Sequence, residues 1–188
     1  MEQLYDQLFD KNDYRTAPLK PAEYENCSFK NCDLLEADLS GFRFIDCHFS
    51  NCNLSLAKFR KTAFQNVKFK DCKMLGLRFE HCDPFNFSLG FDTCQLNHSS
   101  FFRLKLKNTH FKNCQLHESD FTDCDLSGAL LDNCDLARST FENTNLEKAD
   151  LRSAYNYVID PELNRIKKAQ FSLQGIPGLL IKYDIAIE

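Results

Sequence analysis

Every fifth residue over most of this chain is large and apolar, and that period restricts the backbone more than any other property of the sequence. From Phe29 the comb runs through Leu34, Leu39, Phe44, Phe49, Leu54, Phe59, Phe64, Phe69 and Met74 to Phe79. It resumes at Phe91 and passes through Leu96, Phe101, Leu106, Phe111, Leu116, Phe121, Leu126, Leu131, Leu136, Phe141 and Leu146 to Leu151. The step from Phe79 to Leu96 is three fives plus two, so a two-residue insertion falls near 82–90, around Pro84-Phe85-Asn86-Phe87.

A period of five cannot be helical. Five residues of α-helix advance by about 500°, so each centre lands about 140° from the last and no buried stripe forms. A continuous strand also fails, because an odd period sends successive centres to opposite faces. The chain must run extended for about three residues and then turn, in every repeat. Near-right-angle turns close a square coil of about 20 residues after four repeats, and the next coil stacks ~4.8 Å above. The centre and the residue two before it then point inward.

That second inward position is small, as at Ala37, Ala57, Thr62, Ser99, Thr109, Ser119, Ala129, Ser139, Thr144 and Ala149, and all ten cysteines occupy it. Cys27 and Cys47, then Cys32, Cys52 and Cys72, then Cys94, Cys114 and Cys134, recur at 20-residue intervals, as a coil of that length requires. Such cysteines are small buried residues and not a disulfide framework. No C-x2-C pair or zinc-type Cys-His spacing occurs, and His48, His81, His98, His110 and His117 are scattered over outward slots, so no metal site is expected. Asp33, Asp38, Asn53, Asp120, Asp125, Asp135, Asn145 and Asp150 each precede a centre, where short side chains can bond nearby backbone groups. They are needed, because 188 residues contain only 6 Gly and 5 Pro to make the turns.

With 43% hydrophobic residues the chain can bury a core, and its net charge of -4 argues against a phosphate-binding surface, hence against direct nucleic-acid binding. No run approaches the length of a membrane span, and the acidic start MEQLYDQLFDKND does not resemble a signal peptide, so a soluble cytoplasmic protein is expected. No nucleophile-base pairing or Gly-rich phosphate loop is present, and the reading is of a non-enzyme without cofactor or small-molecule substrate.

Ala37-Asp38-Leu39-Ser40-Gly41, Cys124-Asp125-Leu126-Ser127-Gly128 and Ala149-Asp150-Leu151-Arg152-Ser153 resemble the A-(D/N)-L-x-x consensus of pentapeptide-repeat proteins, over roughly residues 22–153. The resemblance implies an all-β solenoid, a right-handed quadrilateral β-helix. Residues 22–173 are assigned to it, with the coil continuing through Ala169-Gln170-Phe171-Ser172-Leu173, although Asp160 and Pro161 could also start a helix. Residues 1–21, with Leu4, Tyr5, Leu8 and Phe9 at i,i+4 spacing, are expected to form an N-terminal cap, either a short amphipathic helix or an irregular segment. Residues 174–188 are expected to form a short helical tail that folds over the open coil or pairs with a second chain. In the Qnr-type quinolone-resistance members such a tail makes a two-fold dimer, which implies a homodimer here through Ile176, Leu179, Leu180, Tyr183 and Ile185.

Charge is uneven along the chain. Residues 113–151 hold 2 bases against 9 acids, whereas 91–112 hold 4 against 1. The acidic stretch spans about two coils, a rise of ~10 Å, over which duplex DNA carries about six phosphates. Placing residues on walls by the 20-residue coil brings Asp120, Asp123 and Glu142 together, with Asp125 and Asp135 in the same acidic stretch. Qnr-type relatives mimic DNA and protect type II topoisomerase from quinolones, so the resemblance implies DNA gyrase as partner. The competing expectation is a protein-interaction scaffold with another partner, engaged by the Phe85-containing insertion or by a band of Arg103, Lys105, Lys107 and Lys112.

Overall fold

The computed structural model describes residues 1–186 and forms a right-handed quadrilateral β-helix. Its short strands are β1 (Glu2–Tyr5), β2 (Leu8–Asp10), β3 (Ala22–Glu25), β4 (Ser28–Lys30), β5 (Arg43–Ile45), β6 (His48–Ser50), β7 (Ala63–Gln65), β8 (Val67–Lys70), β9 (Leu89–Asp92), β10 (His110–Lys112), β11 (Leu130–Asp132), β12 (Asp150–Leu151) and β13 (Gln170–Phe171). The first wall pairs β1, β3, β5 and β7 in parallel and continues as single bridges through Lys105, Asp125, Asn145 and Arg165. The second wall pairs the other nine strands in order from β2 to β13. The third wall is a column of bridges from Asp13 through Asp33, Asn53, Lys73, Gln95, Gln115 and Asp135 to Tyr155, and the fourth carries Arg78, Ser100, Asp120 and Thr140.

The register has the expected coil length. Phe29 lies opposite Phe49, four repeats on, and Phe111 opposite Leu131. Only the coil joining β8 to β9 is longer: Phe69 lies opposite Phe91, where the regular register would have brought Leu89. The extra residues leave the wall between Asp83 and Ser88, where Phe85 is 65% exposed and Phe87 turns back to pack on the core.

Stacking at one strand spacing brings like side chains face to face. Phe79, Phe101, Phe121 and Phe141 form a column with centroids 4.9, 5.0 and 5.1 Å apart, and Phe111 meets Phe101 edge-on at 89°. Each offset or edge contact adds about 0.5–1.5 kcal/mol to the burial of the ring. The small inward residues have a second task. The Thr62 hydroxyl donates to the Leu39 carbonyl at 2.8 Å and the Thr144 hydroxyl to that of Phe121 at 2.8 Å, and the Cys47 and Cys52 thiols make the equivalent contacts to Tyr24 and Phe29. All ten cysteines are free and buried. Burial pushes the thiols of Cys47 and Cys124 up to about 12, which keeps them protonated as donors.

Two side-chain devices turn the chain. The eight Asp and Asn residues singled out in the sequence all accept the amide two residues on, as Asp33 does from Leu35 and Asp150 from Arg152. The residue two after the centre takes φ near +55°, at Asn26, Asn31, Asp46, Asn51 and Asn66, and equally at Leu56, Lys61 and Arg103. Asn and Asp tolerate this left-handed corner best. Stacked corner amides also bond one another, with Asn51 Nδ2 donating to Asn31 Oδ1 and Asn133 Nδ2 to Asn113 Oδ1.

Residues 1–21 depart from the expected helix or irregular cap. They form a first coil, with Glu2 opposite Ala22 and Phe9 opposite Phe29. The reason lies in the same period: Leu4 and Phe9 face the core and Tyr14 is buried, at five-residue spacing, whereas Tyr5 and Leu8 remain exposed. The coil continues to Phe171, and a helical tail follows, with a 3-10 turn at Leu173–Gly175 and helix α1 at Pro177–Leu180. Replacing Phe101 with Ala should lower unfolding stability by about 3–5 kcal/mol in chemical denaturation. Phe85→Ala, at an exposed ring, should change it by less than about 0.5 kcal/mol.

Candidate partner-binding surface

Outward side chains form columns up each wall, so charges one coil apart in sequence become neighbours. On the fourth wall Asp120 bridges Ser100 below and Thr140 above, and the Asp123 amide donates to the Glu142 carbonyl at 2.8 Å. Asp120, Asp123 and Glu142 therefore share that wall. Asp120 is half-buried, and its Oδ1 accepts the Thr122 amide at 2.9 Å. Arg103 Nε lies 3.2 Å from Asp123 Oδ2, so one of the three charges is partly compensated. Glu142 is exposed and, among the described residues, has no ion-pair partner.

The structure separates Asp125 and Asp135 from that group. Asp125 stands on the first wall between Lys105 and Asn145, and Asp135 on the third between Gln115 and Tyr155. Burial pushes the Asp125 carboxyl up, but hydrogen bonds from Ser127 and Asn145 and the charge of Arg165 outweigh it, so its pKa lies below the ordinary value. At Asp135 burial is likewise outweighed by Asn156, His117 and the Ala137 amide, with His117 Nε2 at 2.9 Å. These two carboxylates are tied into the coil, whereas Glu142 is free to meet a partner.

The acidic wall extends further than the sequence suggested. Asp160 and Glu162 continue it one coil on, and Lys182 Nζ bridges them at 2.7 Å to each. The signal was their place one coil beyond Thr140 and Glu142. The broken comb around Asn156 and Pro161 obscured it. The lower part of the same wall is basic, with Lys58, Arg60, Lys61 and Arg78 in the coils beneath Ser100. The band Arg103, Lys105, Lys107 and Lys112 is not one surface: Lys105 lies on the first wall, Lys112 on the second, and Arg103 reaches Asp123 on the fourth.

The tail residues divide between two tasks. Leu179 is 9% exposed within the core cluster and Ile176 packs against it, so both cover the open end of the coil. Leu180 is half-buried. Tyr183 and Ile185 stay exposed with Leu173 and Ile181, and Tyr155, Val158 and Leu163 add to the apolar surface at this end. Tyr183 also donates to Glu162 Oε1 at 2.9 Å. Among the described residues no His, Cys, Asp and Glu cluster is arranged to hold a metal, and no helix is long and apolar enough to cross a membrane.

The family model for the pentapeptide repeat region matches residues 22–89 and 77–151. No curated protein matches the sequence. A trypsin-treated form of QnrB1, a plasmid-mediated fluoroquinolone resistance protein, superposes with a TM-score of 0.65 at 19% identity, covering 100% of this chain and 99% of that one. Full-length QnrB1 gives 0.59 at 18% identity over 97% and 100%. HetL, a pentapeptide repeat protein involved in heterocyst differentiation regulation in the cyanobacterium Nostoc, gives 0.50 at 15% identity over 89% and 84%. At these identities the likeness is one of fold.

Because Asp125 and Asp135 are depressed in the folded chain, the stability they contribute is complete above the ordinary carboxylate value near 3.8 and is lost as pH falls through their folded values. Thermal midpoints followed into acid should fall less steeply for Asp125→Asn and Asp135→Asn than for the unaltered chain.

Proposed function

The chain belongs to the pentapeptide-repeat family, and we propose that it binds a type II topoisomerase, DNA gyrase, in the cytoplasm by presenting its acidic wall in place of duplex DNA, and so shields the enzyme from quinolones. The observation that carries this reading is the placement of Asp120, Asp123 and Glu142 in adjacent layers of one wall, continued by Asp160 and Glu162. A rigid stack holds these carboxylates at a fixed rise, which a flexible acidic tail could not do. The chain acts as an interaction protein, and no catalytic group is assigned.

We further propose a homodimer through the C-terminal end. Leu173, Ile181, Tyr183 and Ile185 supply its apolar surface, while Leu179 and Ile176 belong to the chain's own end cover. Two chains joined there would make a rod about 80 Å long at ~4.8 Å per coil, with an acidic stretch on each side of its centre. Light scattering should give twice the chain mass, and Ile181→Asp with Tyr183→Asp should return it to that of one chain.

The second reading is a scaffold with a different protein partner, and the exposed Phe85 ring in the insertion favours it. Gyrase supercoiling assays with and without ciprofloxacin, at low and high salt, separate the two. Mimicry predicts inhibition or drug protection that fades with salt. It also predicts that the combined Asp120→Asn, Asp123→Asn, Glu142→Gln variant is about tenfold weaker, a loss of about 1.4 kcal/mol. A scaffold would be indifferent to those changes and would leave supercoiling untouched.

A further inference from the structure

The fourth wall is divided into two halves of opposite charge. Its three lower layers, residues 58–61, 78–81 and 100–103, display Lys58, Arg60, Lys61, Arg78 and Arg103 against one acid, Glu80. Its three upper layers, residues 120–123, 140–143 and 160–163, display Asp120, Asp123, Glu142, Asp160 and Glu162, and the one base there is Lys182, which reaches the last two from the tail. With His81 neutral, the halves carry net charges of +4 and -4. The division belongs to the wall and not to the chain segments. Residues 23–90 as a whole hold 9 bases and 9 acids, and coil stacking gathers four of those bases on this one face.

Little of this charge is cancelled within the chain. Lys58, Arg60 and Lys61 are exposed and, among the described residues, have no ion-pair partner. Arg78 lies 3.3 Å from Glu80 and Arg103 3.2 Å from Asp123, but these guanidinium side chains are 69% and 71% exposed, so solvent screens both contacts. The Glu80 side chain is itself turned inward and only 15% exposed. Beside the junction of the two halves stands Phe102, half-buried, with the Arg103 guanidinium 4.6 Å from its ring centroid.

Two such walls set parallel bring like charge onto like, whereas reversing one of them brings every basic layer onto an acidic one. We infer that the fourth wall is an interaction surface for a second copy of this chain, with the two rods antiparallel about a two-fold axis that passes between the layers of Ser100 and Asp120. That axis keeps each column opposite itself, so Lys58 meets the partner's Asp160, Arg60 the partner's Glu162 and Arg103 the partner's Asp123. Glu80 meets a like charge, the partner's Glu142, and it is the one charged side chain of the lower half turned away from the surface. Phe102 lies next to the axis, where aromatic anchors carry most of an interface's energy. Six layers at ~4.8 Å, each about three extended residues wide, present roughly 300 Å² per chain. That is well below the ~800 Å² per partner of a stable complex, so the pairing is weak, reversible and governed by charge. It rests neither on the gyrase reading nor on the tail dimer. It does cover Asp120, Asp123 and Glu142, so a chain paired in this way does not present them to another partner.

The test is sedimentation velocity on the full chain over a concentration series, at about 0.01 M and about 1 M NaCl, where the Debye length is about 30 Å and about 3 Å. The mass at low salt should be at least twice that at high salt, while the high-salt mass reports separately whether the tail joins two chains. Arg78→Glu with Arg103→Glu should weaken the low-salt association about tenfold, and so should Asp123→Lys with Glu142→Lys. The two corner positions among these accept the new residues, since Glu118 and Lys61 already occupy equivalent corners. One chain carrying all four reversals has the unaltered net charge and complementary layers again, and should recover the association. An equal mixture of the two half-reversed chains should recover it as well, which keeps the test decisive if the fourfold variant fails to fold. A mass independent of salt would overturn the pairing. So would reversals without effect, which would place any self-association elsewhere, or a mixture of folded half-reversed chains that stays at the high-salt mass.

Discussion

From the Ser28 amide donating to the Gln7 carbonyl at one end to the Gln170 amide donating to that of Ala149 at the other, parallel backbone hydrogen bonds join each coil to the one below. Everything else depends on that stacking. It pairs each inward ring with its equivalent one coil away, which is why centres four repeats apart must both be large. It also leaves the backbone of the faces so regular that outward side chains fall into columns. A position's neighbours are therefore the residues one coil before and after it in sequence, and surface charge becomes legible only after the chain is folded into walls.

The small inward positions show how tightly sequence and stacking are coupled. A hydroxyl or thiol there reaches the carbonyl of the coil beneath, so Thr62, Thr144, Cys47 and Cys52 fill space and satisfy a buried acceptor together. Alanine fills the same space without the bond. The ten cysteines thus follow from packing, with no need for oxidation or metal. The acidic residues before each centre likewise serve the turn first and the surface second, but Asp125 and Asp135 are tied further, by Asn145 and by Asn156 and His117, which makes them poorer candidates for contact than Asp120, while Glu142 lies outside the turn pattern altogether.

The fold was legible because its strongest constraint, one large residue in five, cannot be met by helix or plain strand. The insertion was legible from the same comb as a change of phase. The left-handed corners were not, because the stack imposes them on Leu56, Lys61 and Arg103 as firmly as on Asn26 and Asn51. Gly128 is a corner where composition does matter: the Asn108 amide oxygen occupies the space a side chain would need. The first coil was hidden by an accidental i,i+4 pattern, in which Leu4 and Phe9 belong to the comb while Tyr5 and Leu8 do not. The compensation of Asp123 by Arg103 could have been found by counting one coil back. The close seating of Gly175 and Gly178 on Tyr157 could not, because it arises where the repeat stops and tertiary packing of the tail takes over.

Function in such a molecule resides in what the walls display, and one wall displays carboxylates in successive layers. The direct test is equilibrium competition between this chain and a fluorescent DNA duplex for purified gyrase. DNA mimicry requires mutually exclusive binding: added chain should displace the duplex, and displacement should weaken when Asp120, Asp123 and Glu142 are neutralised together. A ternary complex in which gyrase holds the chain and the duplex at once, or displacement indifferent to those three residues, would contradict it.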